Sequence, residues 1–154
     1  HYPVYTQGFN GQDGHLLRQN TIPMVRTDRG GQITYHGPGQ LIVYPLIDLR
    51  RFGMGVRNMI SCLENTVIAM LDEHKIDAYA RKDAPGVYCG EAKIASLGLR
   101  VKRGACYHGL SLNIDMDLQP FADMKTLGAT VDMASVKQQF VSVFLAHMQQ
   151  GSNT

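Results

Sequence analysis

Neither paired cysteines nor a bilayer-length apolar run occurs in this sequence. The three cysteines, Cys62, Cys89 and Cys106, are an odd number without short spacing, which excludes a disulfide framework or a zinc knuckle and points to a reducing cytoplasm. The apolar stretches fall short of the roughly 20 residues that span a bilayer, and the N-terminus has no charged-then-apolar secretory pattern. A soluble, cytoplasmic protein without a membrane partner is expected. Internal repeats and long Pro- or Ser-rich linkers are also missing. One domain over residues 1–150, with a tail at 151–154, is the simplest organisation. The chain opens at His1-Tyr2-Pro3 without an initiator methionine, as a fragment or trimmed chain would.

What is present is ordinary for a globular protein. Across 154 residues, 44% are hydrophobic and 18% charged, enough to bury a core without staples. A formal charge of +2 falls short of a nucleic-acid footprint. Basic residues gather at Arg50-Arg51 and from Arg100 to Arg103. Each cluster reads as a solvated surface or as a docking site for an acidic carrier protein.

The segment to about Asn20 is rich in Gly, Gln and Asn and reads as loop, followed by a short strand at Ile22 to Arg26. After a turn at Arg29-Gly30-Gly31, Gln32 to His36 alternates like a half-buried strand. It is joined tightly through Gly37-Pro38-Gly39 to an apolar run, Leu41 to Leu49, in which Pro45 suggests an edge or bulge. From Val56 to His74, Met59, Ile60, Leu63, Val67, Met70 and Leu71 recur at helical steps. Strand candidates follow at Ile76 to Tyr79, Gly86 to Cys89, Lys93 to Val101 and Ala105 to Ile114, the last two joined by an Arg103-Gly104 hairpin turn. A helix over Met133 to Met148 closes the chain. The expected fold is α+β, with a mixed, largely antiparallel sheet and flanking helices.

Three segments could carry chemistry. Arg29 to Gln40 contains four glycines, a proline, an arginine, a tyrosine and a histidine. Glycines let backbone N–H groups approach a carbonyl or phosphate, although a pair of tight turns around a hairpin explains them equally. The stretch is neither a Walker loop nor a dinucleotide fingerprint. Lys93, after Asp83-Ala84-Pro85-Gly86-Val87-Tyr88, leads an apolar strand where a partly desolvated amine can act as base, electrophilic stabiliser or nucleophile; a solvated lysine at a strand end is the plainer reading. Cys106 precedes His108 by two residues, yet side chains so spaced are about 7 Å apart along a strand, so a buried small side chain outweighs a nucleophile. Tyr44, Tyr79 and Tyr88 are expected to be half-buried in the sheet, and Met24, Met59, Met70 and Met148 to fill the core. His36 has no second histidine at metal-ligand spacing, so no metal is expected.

Taken in order, His1 to Gly8, Arg29 to Gln40, Asp83 to Tyr88, Lys93 to Gly98 and Arg103 to Asn113 with Asp117-Leu118-Gln119-Pro120-Phe121 resemble the lipoyl(octanoyl)transferases of the biotin/lipoate protein ligase superfamily. The resemblance implies that superfamily's fold, with a further strand and helix ahead of the His-Tyr-Pro segment. It implies transfer of an octanoyl group from acyl carrier protein to a lysine of the lipoyl domains of 2-oxoacid dehydrogenases and of the glycine-cleavage H protein. No free cofactor and no nucleic acid take part. By the same resemblance Arg29, Gly30, Gly31, Gln32, Ile33, Thr34, Tyr35 and His36, with Ser96, Leu97, Gly98, Gly109, Leu110 and Ser111, match acyl-substrate positions. Lys93 matches the lysine that assists a cysteine nucleophile.

The family's cysteine precedes a glycine a few residues after the Pro-Phe pair. Here that position is Leu127, before Gly128. A leucine cannot attack a thioester. Three readings follow: an octanoyltransferase whose activity is impaired or runs by direct aminolysis or through Cys106; a non-catalytic relative that binds acyl groups or lipoyl domains; and an ATP-dependent lipoate or biotin ligase, for which no nucleotide loop is seen.

Overall fold

The computed structural model describes residues 2–11, 22–116 and 124–151. Its elements are β1 (Val4–Gln7), β2 (Met24–Arg26), β3 (Ile33–His36), β4 (Gln40–Val43), β5 (Ile47–Asp48), a short 3-10 turn (Leu49–Phe52), α1 (Val56–Glu73), β6 (Tyr79–Ala80), β7 (Gly86–Cys89), β8 (Ala92–Lys102), β9 (Ala105–Asn113) and α2 (Met133–Gly151). A three-stranded sheet has the order β2-β1-β3, with β1 parallel to β2 and antiparallel to β3. A larger antiparallel sheet has the order β4-β9-β8-β7-β6, and β5 pairs with the outer part of β9.

The apolar stripe of α1 does what its spacing demands: Met59, Leu63, Val67, Met70 and Leu71 are wholly buried. They meet Val136 and Phe140 of α2 and the helix-facing side of the large sheet. Strand alternation divides the two central strands cleanly. Ala95, Leu97, Leu99 and Val101 of β8, with Cys106, Leu110 and Leu112 of β9, face the helices. Ser96, Gly98 and Arg100, with Tyr107, Gly109 and Ser111, face the small sheet. The hairpin between these strands turns at Arg103 and Gly104, both at positive φ (52° and 84°), the conformation of a type I′ turn.

Five local expectations change. The first segment carries a strand, β1, which polar Thr6 and Gln7 disguise. His36 and Gln40 are not joined by a hairpin: β3 belongs to the small sheet and β4 to the large one. Gly39, at φ +79°, passes so close to Asp115 that no side chain fits, and its carbonyl accepts from the N–H groups of Ile114 and Asp115. The run from Leu41 to Leu49 is broken at Pro45 into β4 and β5, leaving Tyr44 exposed outside any strand. Ile76 is buried as loop, so β6 starts later, at an exposed Tyr79; Met24 is likewise exposed, on a strand with no buried face.

Candidate functional site

The small sheet is docked on the large one by backbone approach. Strand β7 ends its pairing at Gly86↔Ser96, which leaves the edge of β8 open beyond that point. There the Gly30 N–H donates to Leu99 O at 3.1 Å. Gly98 makes this possible, because a Cβ on it would lie 2.9 Å from Gly30 O and 3.2 Å from Arg29 Cδ. Arg29 holds the turn from within. Its guanidinium donates to the carbonyls of Gly30 and Gln32, each at 2.8 Å, and to the carbonyl and hydroxyl of Thr6 on β1. Burial lowers the Arg29 pKa from its usual value, without threatening its charge.

A directional polar chain continues from Arg29 into the large sheet. Arg29 donates to Thr6 Oγ1, which faces His36 Nε2 at 3.1 Å; His36 Nδ1 faces Gln40 Oε1 at 2.8 Å; and Gln40 Nε2 donates to Asn113 Oδ1 at 2.9 Å. Since Gln40 presents its oxygen, Nδ1 carries the imidazole proton and Nε2 accepts from the Thr6 hydroxyl. Burial, reinforced by the Arg29 charge and opposed by the Gln40 hydrogen bond, lowers the His36 pKa. The ring is therefore neutral at pH 7.

Alternation also splits the residues from Arg29 to His36. Thr34 and His36 share the side of Thr6, whereas Ile33 and Tyr35 point the other way, with Tyr35 edge-on to Tyr5 at 5.5 Å and lying over Gly37. Gln32 contributes its carbonyl to Arg29 and to the Gly8 N–H. In the second set, Leu97 and Leu110 face the core, while Ser96, Gly98 and Ser111 face the small sheet. Gly109 is filled over by Val43 O and Pro45.

Lys93 faces the small-sheet side with its cross-strand partner Tyr88. Its ammonium donates to Pro85 O at 3.3 Å and lies 5.1 Å over the Tyr88 ring, a geometry worth about 0.5–1 kcal/mol at an exposed site. On the helix side of the same strand Glu64, 7% exposed, accepts from the Gly86 N–H at 2.9 Å. Burial raises the Glu64 pKa, against the opposing pull of the Gly86 hydrogen bond and the Lys93 charge.

Leu127 sits 39% exposed on a turn that hangs from the end of β9. The N–H groups of Met124 and Lys125 donate to Asn113 O and Ile114 O, and Lys125 pairs with Asp115 at 2.6 Å. The β8–β9 pairing ends at Ala95↔Leu112, two residues past Lys93 on β8 and two before Ile114 in the chain. Residues 117–123, including the Pro120-Phe121 pair, lie outside the described residues.

The remaining candidates are elsewhere. Cys106 is 2% exposed and donates its thiol to Pro45 O at 3.3 Å. Neighbouring His108, at φ +58°, turns to Asp28 at 2.7 Å, and Tyr107 donates to the same carboxylate at 2.6 Å. These two bonds lower the Asp28 pKa to about 2. Thus Cys106 and His108 make no pair. Arg50 packs on Gly104, which brings the two basic clusters together at the hairpin tip. That tip begins ten residues after Lys93, roughly 30 Å at strand rise. A groove of about 460 Å³ lies against the helices, lined by Asn65, Ile68, Asp72, Asp77 and His147 among others. Among the described residues no cluster could hold a metal, and no helix is long and apolar enough to cross a membrane.

Sequence reading missed Thr6, Gln40 and Asn113 as network members and Glu64 altogether. Glu64 did leave a signal: it is a carboxylate one step from Leu63 and three before Val67, within the buried stripe of α1.

The two sheets, their flanking helices and the glycine-lined joint between them define a protein of the biotin/lipoate protein ligase fold. The chain belongs to the lipoyl protein ligase A/B catalytic domain family, whose profile matches residues 1–143. An octanoyltransferase of Nitrosospira multiformis is 57% identical over 130 residues, which make up 84% of this chain and 60% of that protein. One from Chromobacterium violaceum is 49% identical over 167 aligned positions, covering 100% of this chain and 81% of that protein. A T. acidophilum protein solved with lipoic acid bound superposes with a TM-score of 0.69 at 17% identity, over 97% of this chain and 70% of that one. The chain thus spans 60% of the length of the first of these relatives.

Proposed function

We propose that the chain is the acyl-handling catalytic domain, over residues 1–150, of an octanoyltransferase of lipoate biosynthesis. Its donor is the octanoyl thioester of acyl carrier protein, and its acceptor is a lysine of a lipoyl domain of a 2-oxoacid dehydrogenase or of the glycine-cleavage H protein. The observation that carries the reading is the gap along β8. The Pro85–Gly86 peptide with Lys93 stands at Ser96, and the Arg29–Gly31 turn stands at Gly98 and Leu99. These are three residues apart, roughly 10 Å of strand. A thioester carbonyl between them meets the Lys93 ammonium on one side, a donor for the developing oxyanion, and the closely approaching glycine turn on the other. Ser96, between the two, has a small side chain that is only half-buried, and burying methylenes of an acyl chain contributes about 0.8 kcal/mol each. High identity to octanoyltransferases over most of the chain supports the same chemistry.

In a complete site a thiolate attacks the thioester carbonyl and the carrier's thiol leaves. The target lysine's amine then attacks the acyl-enzyme, losing its proton to the departing sulfur as the amide forms. Leu127 removes the first step. What remains is direct attack of the acceptor amine on the bound thioester, with slow turnover. The Leu127 side chain also favours a second reading, binding of acyl groups or lipoyl domains without transfer.

Mass spectrometry after incubation with octanoyl-acyl carrier protein, with and without a lipoyl domain, separates these. The parent chain is expected to form no octanoyl adduct of its own. A folded Leu127→Cys chain is expected to form one on the introduced thiol and to raise transfer by orders of magnitude. A folded variant with no adduct would leave the binding reading in possession.

A further inference from the structure

One peptide unit links Glu64 to Lys93. The Gly86 N–H donates to Glu64 Oε1 at 2.9 Å, and the carbonyl of the same unit, Pro85 O, accepts from Lys93 Nζ at 3.3 Å. In a trans peptide the N–H and C=O point in opposite directions, so aiming the N–H at α1 aims the carbonyl at Lys93. The order of charges, carboxylate to N–H and carbonyl to ammonium, polarises the unit in one sense, and each bond strengthens the other. Neighbouring geometry leaves it little freedom. Gly86 has φ +147°, and a Cβ there would lie 2.8 Å from Ala95 O and 3.1 and 3.2 Å from Lys93 Cε and Nζ. The Tyr88 ring lies under the ammonium, and its hydroxyl donates to Ala84 O at 3.0 Å, tying down the loop before Pro85.

We propose that Glu64 is a positioning residue: from the helix side of the sheet it fixes the Pro85–Gly86 peptide, whose carbonyl holds the Lys93 ammonium at the gap along β8. Among the described residues the Gly86 N–H is the hydrogen-bond partner of the carboxylate on the buried stripe of α1, where an apolar side chain would avoid the cost of burying a charge. The functional weight of this clamp rests on the octanoyltransferase reading, whereas the clamp itself is testable without it.

The variants are Glu64→Leu, which removes the acceptor at similar volume, and Glu64→Gln, which keeps an oxygen for the Gly86 N–H. Lys93 is read by timed acetylation with acetic anhydride and peptide mass spectrometry, with exposed Lys137 as the internal reference. Freed from Pro85 O, Lys93 of Glu64→Leu is expected to label about tenfold faster relative to Lys137 than in the parent, the scale of one charge-assisted hydrogen bond. Glu64→Gln should stay within about threefold of the parent, as partial rescue. A cooperatively folded Glu64→Leu chain that labels like the parent overturns the proposal. If that chain does not fold, Glu64→Asp takes its place, because the shorter side chain withdraws the carboxylate from the Gly86 N–H while keeping its charge; unchanged labelling there has the same force. In a Leu127→Cys background, Glu64→Leu should slow acylation by about tenfold while leaving the KM for octanoyl-acyl carrier protein within about threefold. Faster labelling with unchanged acylation keeps the clamp and removes Lys93 from the reaction.

Discussion

The two faces of the large sheet are built on opposite rules. Against α1 and α2 the side chains are bulky and apolar, with Leu63, Val67, Ile94 and Leu112 fully buried. On the opposite face the same strands present Ser96, Gly98, Gly109 and Ser111, and what covers the glycines is close: the Gly30 turn over Gly98, and Val43 with Pro45, from the large sheet's own β4 end, over Gly109. The helix face is held by volume and the small-sheet face by the lack of it. Close approach through glycine leaves little apolar area to bury, so hydrogen bonds through Arg29, His36 and Gln40 hold that joint instead. Hydrogen bonds fix direction as well as distance.

The contrast makes the two faces fail in opposite ways. Leu63→Ala, at a side chain with no exposure, removes volume from the helix face and is expected to cost about 2–5 kcal/mol in unfolding free energy. Urea denaturation gives the value. A cost below about 1 kcal/mol would mean that α1 is packed loosely and that the rule of volume does not hold there.

On the other face the damaging change is an addition. Gly98→Val places carbon where Gly30 O is 2.9 Å and Arg29 Cδ 3.2 Å from a Cβ, and the nearer contact is backbone that cannot swing aside. An overpacking cost of about 1–3 kcal/mol is expected, together with lost binding of octanoyl-acyl carrier protein as the Gly30 turn lifts from Leu99. Ser96→Ala is the control, for it leaves volume nearly unchanged. A Gly98→Val chain as stable as the parent would show that the joint has slack.

The difference between the faces also explains what could be read from the sequence. The helices were legible because Met59, Leu63, Val67 and Met70 encode their burial at helical steps, and the β8–β9 hairpin was legible because Arg103-Gly104 is flanked by strand-like runs. Neither depends on distant residues. The small-sheet face was legible only as a density of glycines around Arg29 and His36, equally suited to turns. What separates β3 from β4 is the reach of Gly39 to Ile114 and Asp115, far along the chain, and no local pattern announces it. Likewise β1 looks like loop until Arg29 is seen to bind the Thr6 carbonyl. The proposed role of Leu127 as the nucleophile's position rests on family likeness alone, since nothing in the physics of a turn marks where a thiol would stand.

The smallest expected effect concerns the pH dependence of the joint, and only this face should show it through His36. The neutral ring accepts from the Thr6 hydroxyl, whose oxygen already receives Arg29. Protonating Nε2 would set an N–H against that oxygen, strand the hydroxyl proton and place a second cation beside Arg29. The folded chain therefore resists protonation and titrates below the ordinary value of 6.5, burial being the main cause. Between the folded pKa and 6.5 the unfolded chain binds more protons than the folded one, so His36 makes stability fall as pH drops through that window. Above 6.5 it contributes no slope, because both states are neutral. NMR titration of the His36 ring should give a midpoint below 6.5, and Thr6→Val, which removes the hydroxyl but keeps the volume, should leave the imidazole proton on Nδ1 facing Gln40. A midpoint above 6.5 would mean that the joint favours the charged ring, with Nε2 donating to Thr6 Oγ1 instead of accepting from its hydroxyl. The small sheet would then be held by repulsion relieved elsewhere, and the directional reading of this face would fail.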